Sequence, residues 1–418
     1  MAIIFARNFR GFKKLNLNVN RTTFLVGDNS SGKTSILSLI SSVYNTELAS
    51  LPRLDPDLHD DKHDFFSPYF ENADVTIGYL ASMKAGGTKY GRVSTIEKAP
   101  FPDEPLFKRY TVFKGDVAVT LKKEQGDASY RIAPIPSSVT SKNILALHDS
   151  EEGFESLKSD DESDLELSSF GWIARIAATK KDDVPFVQRL FQTIQLPPLP
   201  EAGTTGPVRG FPERFYSPDR QWHKSGKHFP AMWRDLKRAG DKDALNAALQ
   251  FGQESQLFEG LDVESLSDEI AGAPLLVTIT KRGKKFALSQ VGFGVSQVIP
   301  IIVEALFDSA AKVKPISLLQ QPELHLHPIA QAALGEFLFK LAAQGSRFIV
   351  ETHSDFLIDR FRANMRENKG TLRARVLYCT SDSTGNHCQT VGIDPAGELI
   401  EPPAGYKDFF VAELARTL

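Results

Sequence analysis

The sequence contains very little cysteine: Cys379 and Cys388 are the two thiols in 418 residues. Two thiols cannot build a scaffold of several disulfides, and such low usage is typical of proteins of the reducing cytosol. The sequence also lacks a run of about 20 apolar residues, the length that spans a bilayer. Its longest apolar run, 298–306, contains Pro300 and Glu304. We therefore expect a cytoplasmic protein with no membrane segment.

An excess of charge of one sign is missing as well. The 49 basic and 52 acidic residues give a net charge of −3, so the whole chain creates no positive field that would concentrate nucleic acid. Binding of nucleic acid would need a local patch, and the basic and aromatic run 209–238 is the candidate. An acidic partner, or the acidic segment 149–169 of this chain, would fit that run equally well. Hydrophobic residues make up 41% of the chain, which is typical of a globular protein with a large core.

The patterning of the chain predicts three parts. Residues 1–136 read as two strands and a helix followed by an antiparallel β-meander over 75–135. Residues 137–270 read as a mostly helical insertion, in which 149–169 forms a mobile or exposed acidic linker. Residues 271–418 return to α/β character, and their alternation of strands and helices indicates a parallel sheet. The predicted elements of this last part are a hairpin of 275–280 with 285–291, a helix from about Val295, strands 316–319 and 347–351, helices 328–343 and about 355–366, and a hairpin over 379–388.

The segment Gly27–Thr34, GDNSSGKT, matches the phosphate-loop pattern GxxxxGK[ST] without a mismatch. Glycines let the backbone N–H groups curl towards phosphates, the lysine reaches the β- and γ-phosphates, and the threonine hydroxyl binds Mg²⁺. The segment lies between an apolar strand and a predicted helix, as this chemistry requires. We therefore predict a nucleoside triphosphate site, with Lys33 facing solvent. Its residues are Gly27, Asn29, Ser30, Ser31, Gly32, Lys33, Thr34 and Ser35.

A second apolar strand, 316–319, precedes the sequence QQPELHLHP. In phosphate-loop proteins such a strand usually ends in an acidic residue that holds Mg²⁺. Here Gln320 and Gln321 occupy those positions, and the first carboxylate is Glu323. With His325 and His327, Glu323 could in principle bind a transition metal, but flanking prolines favour a simple turn.

Four segments together carry a resemblance to a known family. They are FRGFKKLNLNV…TTFLVGDNSSGKTSIL, VGFGVSQVIPIIVEAL, LLQQPELHLHP and RFIVETHSDFLIDR. The sequence resembles the RecF/SMC/OLD group of ABC-type ATPases. Within it, the sequence is most similar to ATPases without a coiled coil from anti-phage systems such as PARIS, Septu and retrons. The resemblance covers 1–135 and 271–418, and within the insertion only 252–260.

The resemblance implies an α/β fold, a P-loop NTPase of ABC-ATPase type, with ATP and Mg²⁺ as cofactors. It assigns phosphate and Mg²⁺ binding to Lys33 and Thr34, and it places Gln320 where the family usually has a glutamate linked to the same Mg²⁺. The group around the reacting phosphate would be Gln320, Gln321, Glu323 and the switch histidine His353. Phe65 and Phe66 lie near the place of the Q-loop, although no glutamine is present there.

The resemblance also implies a signature motif that contacts the γ-phosphate of ATP held by a second protomer. Its residues would be Gly292, Gly294, Ser296 and Gln297. We expect Ser296 to start a helix whose N–H groups face outward. A glycine-rich corner before a core helix is the alternative interpretation of this segment.

Three functions fit these residues. The first is an ATPase subunit that dimerises around ATP and gates a partner effector, a nuclease or toxin, in anti-phage defence. The second is a RecF-like repair ATPase that clamps DNA, and the third is a nucleotide-bound scaffold with little hydrolysis. The uncharged Gln320 predicts slow hydrolysis, whether it is natural or an engineered trap. The residues after His353 contain no DxD carboxylates of the kind found in the nuclease domain of OLD proteins, so effector chemistry is expected from a partner chain.

Overall fold

The computed structural model describes most of the chain. The described residues are 2–19, 22–45, 66, 68–70, 73–83, 87–98, 106–124, 127–135, 138–157, 176–177, 180, 183–197, 199–206, 210–220, 226–267, 270, 272–368, 370 and 372–406. The chain divides into two compact units. Unit 1 comprises 1–20, 38–199 and 381–387, and unit 2 comprises 21–37, 200–380 and 388–418. The division predicted at 136/137 and 270/271 stays a prediction.

The strands and helices of the described residues have the following bounds. The strands are β1 Ala2–Phe9, β2 Phe12–Asn18, β3 Thr22–Gly27, β4 Val75–Ser82, β5 Lys89–Glu97, β6 Leu106–Lys114, β7 Val117–Glu124, β8 Asp127–Pro134, β9 Glu155–Leu157, β10 Ala202–Thr205, β11 Gly260–Ser265, β12 Leu275–Lys281, β13 Lys284–Ala287, β14 Ile316–Gln320, β15 Arg347–Glu351, β16 Ala374–Asp382, β17 Gly385–Ile393 and β18 Leu399–Ile400. The α-helices are α1 Lys33–Asn45, α2 Ser141–Asp149, α3 Val184–Ile194, α4 Phe229–Ala239, α5 Lys242–Glu254, α6 Phe293–Ala310, α7 Pro328–Ala343 and α8 Asp355–Asn368.

Unit 1 is built on an antiparallel sheet. In the described part of the chain its order is β2-β1-β4-β5-β6-β7-β8-β9, and the five strands β4 to β8 confirm the predicted meander. The prediction of two strands before α1 is wrong, because β1 precedes β2 and pairs with both β2 and β4. Burial along β1 does not alternate strictly, since Ile4, Phe5 and Ala6 are all buried, and Asn8 has a positive φ of 54°.

Helix α2 packs on this sheet through a small apolar cluster that includes Phe5, Phe113 and Ile144. His148, also on α2, is fully buried between two strands. Its Nε2 lies 2.8 Å from the Thr95 hydroxyl and its Nδ1 lies 2.7 Å from the Thr111 hydroxyl. Burial lowers the pKa of His148 to about 3. The imidazole is therefore a neutral, hydrogen-bonded core group.

The acidic segment was predicted to be a mobile linker or an exposed loop, and most residues of its described start, 149–157, are exposed. Asp149 accepts two hydrogen bonds of 2.7 Å from Arg7. Glu151 pairs with both Arg109 and Lys122, and the next residues form β9. Basic side chains of the sheet thus offset the acidic charge locally, which composition alone does not show. Residues 158–169 of the segment lie outside the described residues.

Unit 2 carries a mostly parallel sheet, as predicted. Within the described residues its order is β10-β14-β15-β3-β16-β17-β18. The first five strands run parallel to one another. Because the carboxyl ends of parallel strands lie at one edge, the ends of β3, β14 and β15 meet there, and this is where ligands bind in open α/β sheets. Strands β11, β12 and β13 form a separate antiparallel sheet. The second strand of that hairpin ends at Ala287 rather than at Val291, since a 3₁₀ turn follows.

Helix α6 is the central helix of the unit 2 core. Among the described residues it is the one helix long and apolar enough to cross a membrane, and 61% of that stretch is buried inside the structure. Its buried side chains include Val298, Ile302 and Leu306. Such burial is that of a core helix, so its apolar character is explained by packing within unit 2.

Asp308 lies near the end of α6 and accepts a 3.1 Å hydrogen bond from the Ser317 hydroxyl. Burial first, and the negative charge of Glu201 in addition, raise its pKa to about 6. A carboxyl whose pKa is higher in the folded state than in the unfolded state is favoured by the fold when protonated. The contribution of Asp308 to stability therefore falls as the pH rises from about 4 to about 6, and its charge is a cost above that range.

We expect Asp308→Asn to stabilise the protein at pH 8 by about 1–3 kcal/mol, because the amide accepts the Ser317 hydrogen bond without a buried charge. Thermal unfolding at pH 8 and at pH 4 measures this, with a gain expected only at pH 8. Asp359→Asn, at a side chain that is 66% exposed, is the control. Equal unfolding temperatures of Asp308→Asn and wild type at pH 8 would contradict the expectation.

Candidate nucleotide-binding site

The phosphate loop follows directly from β3. Gly27 has a φ of 143°, and a Cβ built on it would lie 1.8 Å from the Cys379 carbonyl oxygen on the neighbouring strand β16. Gly32 has a φ of 88° and Ser30 a φ of 64°, so the loop reverses through left-handed backbone conformations. Gly27 cannot be replaced by a residue with a side chain unless β16 moves. The sequence pattern therefore has the structural context it needs, a strand, a tight curl and helix α1.

Lys33 was predicted to face solvent, and this is wrong. The side chain is buried, with 4% of its surface exposed. Its ammonium group donates hydrogen bonds to the carbonyl oxygens of Gly27 (2.9 Å) and Asp28 (2.7 Å). Burial lowers the pKa of Lys33, while the nearby Glu351 carboxyl raises it. The loop thus encloses its lysine, and phosphate oxygens could take the place of the carbonyl acceptors.

Thr34 lies between two side chains from neighbouring strand ends. The amide of Gln320 donates to the Thr34 hydroxyl oxygen over 3.1 Å. The hydroxyl group in turn donates to the carboxylate of Glu351, whose oxygens lie 3.0 and 3.3 Å away. Burial raises the pKa of Glu351, and the Thr34 hydrogen bond and the charge of Lys33 lower it. Carboxylate, amide and hydroxyl oxygens are the ligands that hard divalent cations prefer, so this group of side chains fits Mg²⁺.

The strand order explains why Glu351 belongs to this group. Strand β15 lies between β14 and β3, and its last residue is level with Gln320 on one side and Leu25 on the other. Sequence reasoning missed Glu351 as a site residue. The signal was available, because Glu351 ends a correctly predicted apolar strand two residues before the proposed switch histidine.

The turn after β14 and the turn after β15 are hydrogen-bonded to each other. The backbone N–H of Gln321 donates to the Glu351 carbonyl oxygen over 2.8 Å. The Glu323 carboxylate accepts a 2.7 Å hydrogen bond from the backbone N–H of His353. Two adjacent strands therefore bring together the residues that were predicted to surround the reacting phosphate. These residues are Gln320, Gln321, Glu323 and His353.

Two of these groups have shifted protonation equilibria. Burial raises the pKa of Glu323, and its hydrogen bond from His353 lowers it. Burial also lowers the pKa of His353, and the positive charge of Lys33 lowers it further. His353 is therefore a neutral imidazole at pH 7, which can donate a hydrogen bond from one ring nitrogen without carrying a charge.

The signature segment differs from its prediction in one respect. Helix α6 begins at Phe293, whereas Ser296 was expected to start it. Ser296 is buried, its N–H bonds the Gly292 carbonyl oxygen over 3.3 Å, and its hydroxyl group donates to the Phe293 carbonyl oxygen over 2.9 Å. The outward-facing start of the helix is thus formed by Gly292 and Phe293, which are both exposed. Ser296 has an internal role in the first turn.

The start of α6 packs against the turn that carries Glu323. A Cβ on Gly294 would lie 2.5 Å from the His325 carbonyl oxygen, so only glycine permits this approach. The Phe293 and His325 rings lie 4.8 Å apart between centroids. The amide of Gln297 donates to the Gly210 carbonyl oxygen over 3.2 Å. The signature segment is therefore in direct contact with the turn that binds the His353 backbone.

The basic and aromatic run 209–238 has internal partners where it is described. Arg220 and Arg234 both pair with Asp235, Lys227 pairs with Glu213, and Lys237 pairs with Asp262. Trp233 is buried in the core. Much of the positive charge of this run is offset within unit 2, which weakens the case for a nucleic-acid patch there.

Of the two residues near the expected place of the Q-loop, Phe65 lies outside the described residues and Phe66 is half-buried. Cys379 and Cys388 are free thiols whose sulfur atoms lie 2.7 Å apart across β16 and β17. In the part of the chain that the structure describes, no group of three His, Cys, Asp or Glu side chains could hold a metal ion.

Residues 22–359 match the family described as "AAA domain, putative AbiEii toxin, Type IV TA system". No curated protein matches the chain. Three solved structures resemble it over nearly its full length. An Smc head bound to the C-winged helix domain of ScpA is 12% identical, with a TM-score of 0.47, and the match covers 94% of this chain and 98% of that one.

The other two structures are also SMC head domains. The head domain from Thermotoga maritima is 12% identical, with a TM-score of 0.41, and the match covers 93% of this chain and 97% of that one. The head domain with an extended coiled coil, bound to the C-terminal domain of ScpA derived from Pyrococcus furiosus, is 13% identical with a TM-score of 0.45. That match covers 100% of both chains.

Proposed function

The chain belongs to the family described as "AAA domain, putative AbiEii toxin, Type IV TA system", and on that premise we propose that it is an ATP-binding ATPase subunit. In this proposal the subunit pairs with a second copy around ATP and gates a partner effector, a nuclease or toxin encoded nearby. The toxin–antitoxin description of the family supports a place in bacterial anti-phage defence, in the cytoplasm.

One observation carries the nucleotide assignment. The phosphate loop meets the ends of β14 and β15, so that Lys33, Thr34, Gln320 and Glu351 converge within hydrogen-bonding distance or close electrostatic range. A cationic group and a hydroxyl group at the start of a helix form a site for a phosphate chain. When bound, Mg²⁺ would neutralise phosphate charge, with Thr34, Gln320 and Glu351 as the residues that hold it.

The residues of this chain have distinct tasks in the proposed reaction. Lys33 binds phosphate oxygens, and Thr34 fixes the metal-holding end of the loop. His353, as a neutral imidazole, donates a hydrogen bond to the terminal phosphate and distinguishes ATP from ADP. Gln321 and Glu323 hold the two turns together. Because Gln320 is uncharged and cannot accept a proton from water, we infer slow hydrolysis and a role in which the bound nucleotide itself is the signal.

The contact between the signature segment and the Glu323 turn supports the gating step. His353 is fixed through Glu323, and the same turn meets Gly294 and Phe293. A change at the terminal phosphate therefore has a short packed route to the exposed start of α6, the surface where a second copy would bind. ATP and ADP could then bias pairing differently, as a two-state switch requires. RecF-like DNA clamping receives less support, because much of the positive charge of the described basic run is offset by acidic side chains of unit 2.

We expect wild-type protein to bind ATP with slow turnover, and Gln320→Glu to raise steady-state hydrolysis by about 10- to 100-fold, because a second carboxylate strengthens the hold on Mg²⁺. Calorimetry measures binding and phosphate release measures turnover. Gln253→Glu, an exposed change on α5, is the control and should leave the rate unchanged. Folded Gln320→Glu protein with wild-type turnover would show that hydrolysis is absent or uses another group.

A further inference from the structure

We propose that Glu351 supplies the metal-holding carboxylate that Gln320 lacks, acting on the Thr34 hydroxyl from the end of the neighbouring strand. The inference rests on the proposed function, since it concerns Mg²⁺ bound together with a nucleotide. It deepens that proposal by moving the anionic charge of the site from β14 to β15. In this assignment Glu351 holds the metal ion and also fixes the Thr34 hydroxyl group, which donates to its carboxylate.

The position of Glu351 follows from the sheet and not from a flexible side chain. β15 is hydrogen-bonded on one side to β14 and on the other to β3, the strand that leads into the phosphate loop. The last residue of β15 is therefore placed between Gln320 and the loop. Glu351 is buried, with 4% of its surface exposed. Burying a charged carboxylate costs free energy unless the carboxylate is paired or binds a cation. The Glu351 carboxylate therefore needs such a partner at this position.

The direction of the hydrogen bonds points to the same role. A glutamine amide that donates to the Thr34 oxygen leaves the threonine proton to be donated onward, and the acceptor is Glu351. A hydroxyl group that gives its proton to a carboxylate presents its oxygen lone pair to a metal more strongly. Gln320 thus orients the hydroxyl group, while Glu351 provides the charge.

The charges around the loop also balance in this arrangement. The negative charge of Glu351 raises the pKa of Lys33, and the positive charge of Lys33 lowers the pKa of Glu351. When phosphate oxygens bind Lys33, they compete with the Glu351 carboxylate for the positive charge of this lysine. A divalent cation between the carboxylate side and the phosphate chain then compensates both negative groups.

The test is the Mg²⁺ dependence of nucleotide affinity, measured by calorimetry with the non-hydrolysable analogue AMP-PNP in Mg²⁺ and in EDTA. For wild type we expect tighter binding in Mg²⁺. For Glu351→Gln we expect this Mg²⁺ enhancement to fall by about tenfold or more, with affinity in EDTA little changed. Binding of Mn²⁺ in the presence of AMP-PNP, followed by electron paramagnetic resonance, should weaken in parallel. Glu336→Gln, which changes a carboxylate paired with Lys340 and Arg360, is the matched control.

A charge relocation makes the test specific. In the double variant Gln320→Glu/Glu351→Gln the carboxylate returns to β14, and we expect the Mg²⁺ enhancement to be restored. A merely structural role of Glu351 would not be rescued in this way. Glu351→Gln protein that is folded and keeps the wild-type enhancement would overturn the inference alone, with ATP binding intact. Wild-type protein that binds no AMP-PNP in either condition would overturn the proposed function and the inference together.

Discussion

Replacing Lys33 with alanine is expected to weaken ATP binding by about 30-fold to more than 1,000-fold. The estimate follows from the 2–5 kcal/mol typical of truncating one partner of a buried, hydrogen-bonded charge pair. The Lys33 ammonium lies inside the loop, on the carbonyl oxygens of Gly27 and Asp28. A phosphate chain in the same curl would meet it without a long side-chain movement. Calorimetry with ATP and Mg²⁺ measures the loss directly.

The burial of Lys33 changes how this experiment must be controlled. Removing the side chain leaves two loop carbonyl oxygens without their donor, which costs stability of about 1–3 kcal/mol by itself. The thermal unfolding of Lys33→Ala must therefore be measured without nucleotide. Lys314→Ala removes a lysine that donates to the Gln344 carbonyl oxygen over 2.8 Å, away from the phosphate loop, and it should bind ATP like wild type. Unchanged ATP affinity in a folded Lys33→Ala protein would contradict the phosphate-loop assignment.

The sequence predicted the elements that carry the site with good accuracy. The strand over 347–351 and the helix over 328–343 agree with the structure residue by residue, because each is a short apolar run between clear turn signals. The meander of unit 1 was predicted for the same reason. The first strand was missed because its apolar run is short, and its partners β2 and β4 are apparent only in the sheet pairing.

The environments of individual side chains could not be predicted in the same way. A lysine in GxxxxGK[ST] is polar, and its burial depends on loop carbonyl oxygens that no pattern displays. Ser296 looked like a helix start, but the preceding Phe293 is accommodated in the first turn and meets His325. Glu351 lies in the site because of the strand order of the sheet. Its strand, β15, is adjacent in space to β3, which is far from it in sequence. Local patterns determine elements, whereas strand order determines which of their ends meet.

The second large effect concerns the exposed start of α6. Ser296 is buried, so enlarging it would test folding rather than pairing. Gly292 is the better position, because a Cβ built there meets nothing within 4 Å. Its backbone, with φ −59° and ψ 149°, suits any residue. A side chain at 292 therefore extends into solvent from the surface that we propose meets the γ-phosphate of a second copy.

We expect Gly292→Glu to weaken ATP-dependent pairing by at least about 100-fold, because bulk and a like charge facing a phosphate cost several kcal/mol at an interface. ATP binding to each copy should be unchanged, since Lys33 and Thr34 are untouched. Glutamate is preferred to arginine, which could bind the phosphate instead of repelling it. Light scattering with AMP-PNP measures pairing, and calorimetry measures binding.

Two further variants make the result specific to the helix start. Asn246→Glu adds the same charge at an exposed position on α5 and should pair like wild type. Gly292→Ala adds one methyl group without charge and should have the smaller effect, because its Cβ meets no atom of its own chain. If Gly292→Glu pairs as tightly as wild type, the start of α6 is not at the seam between copies. The glycines would then serve only the close approach of α6 to His325, and the second copy would have to bind through another surface.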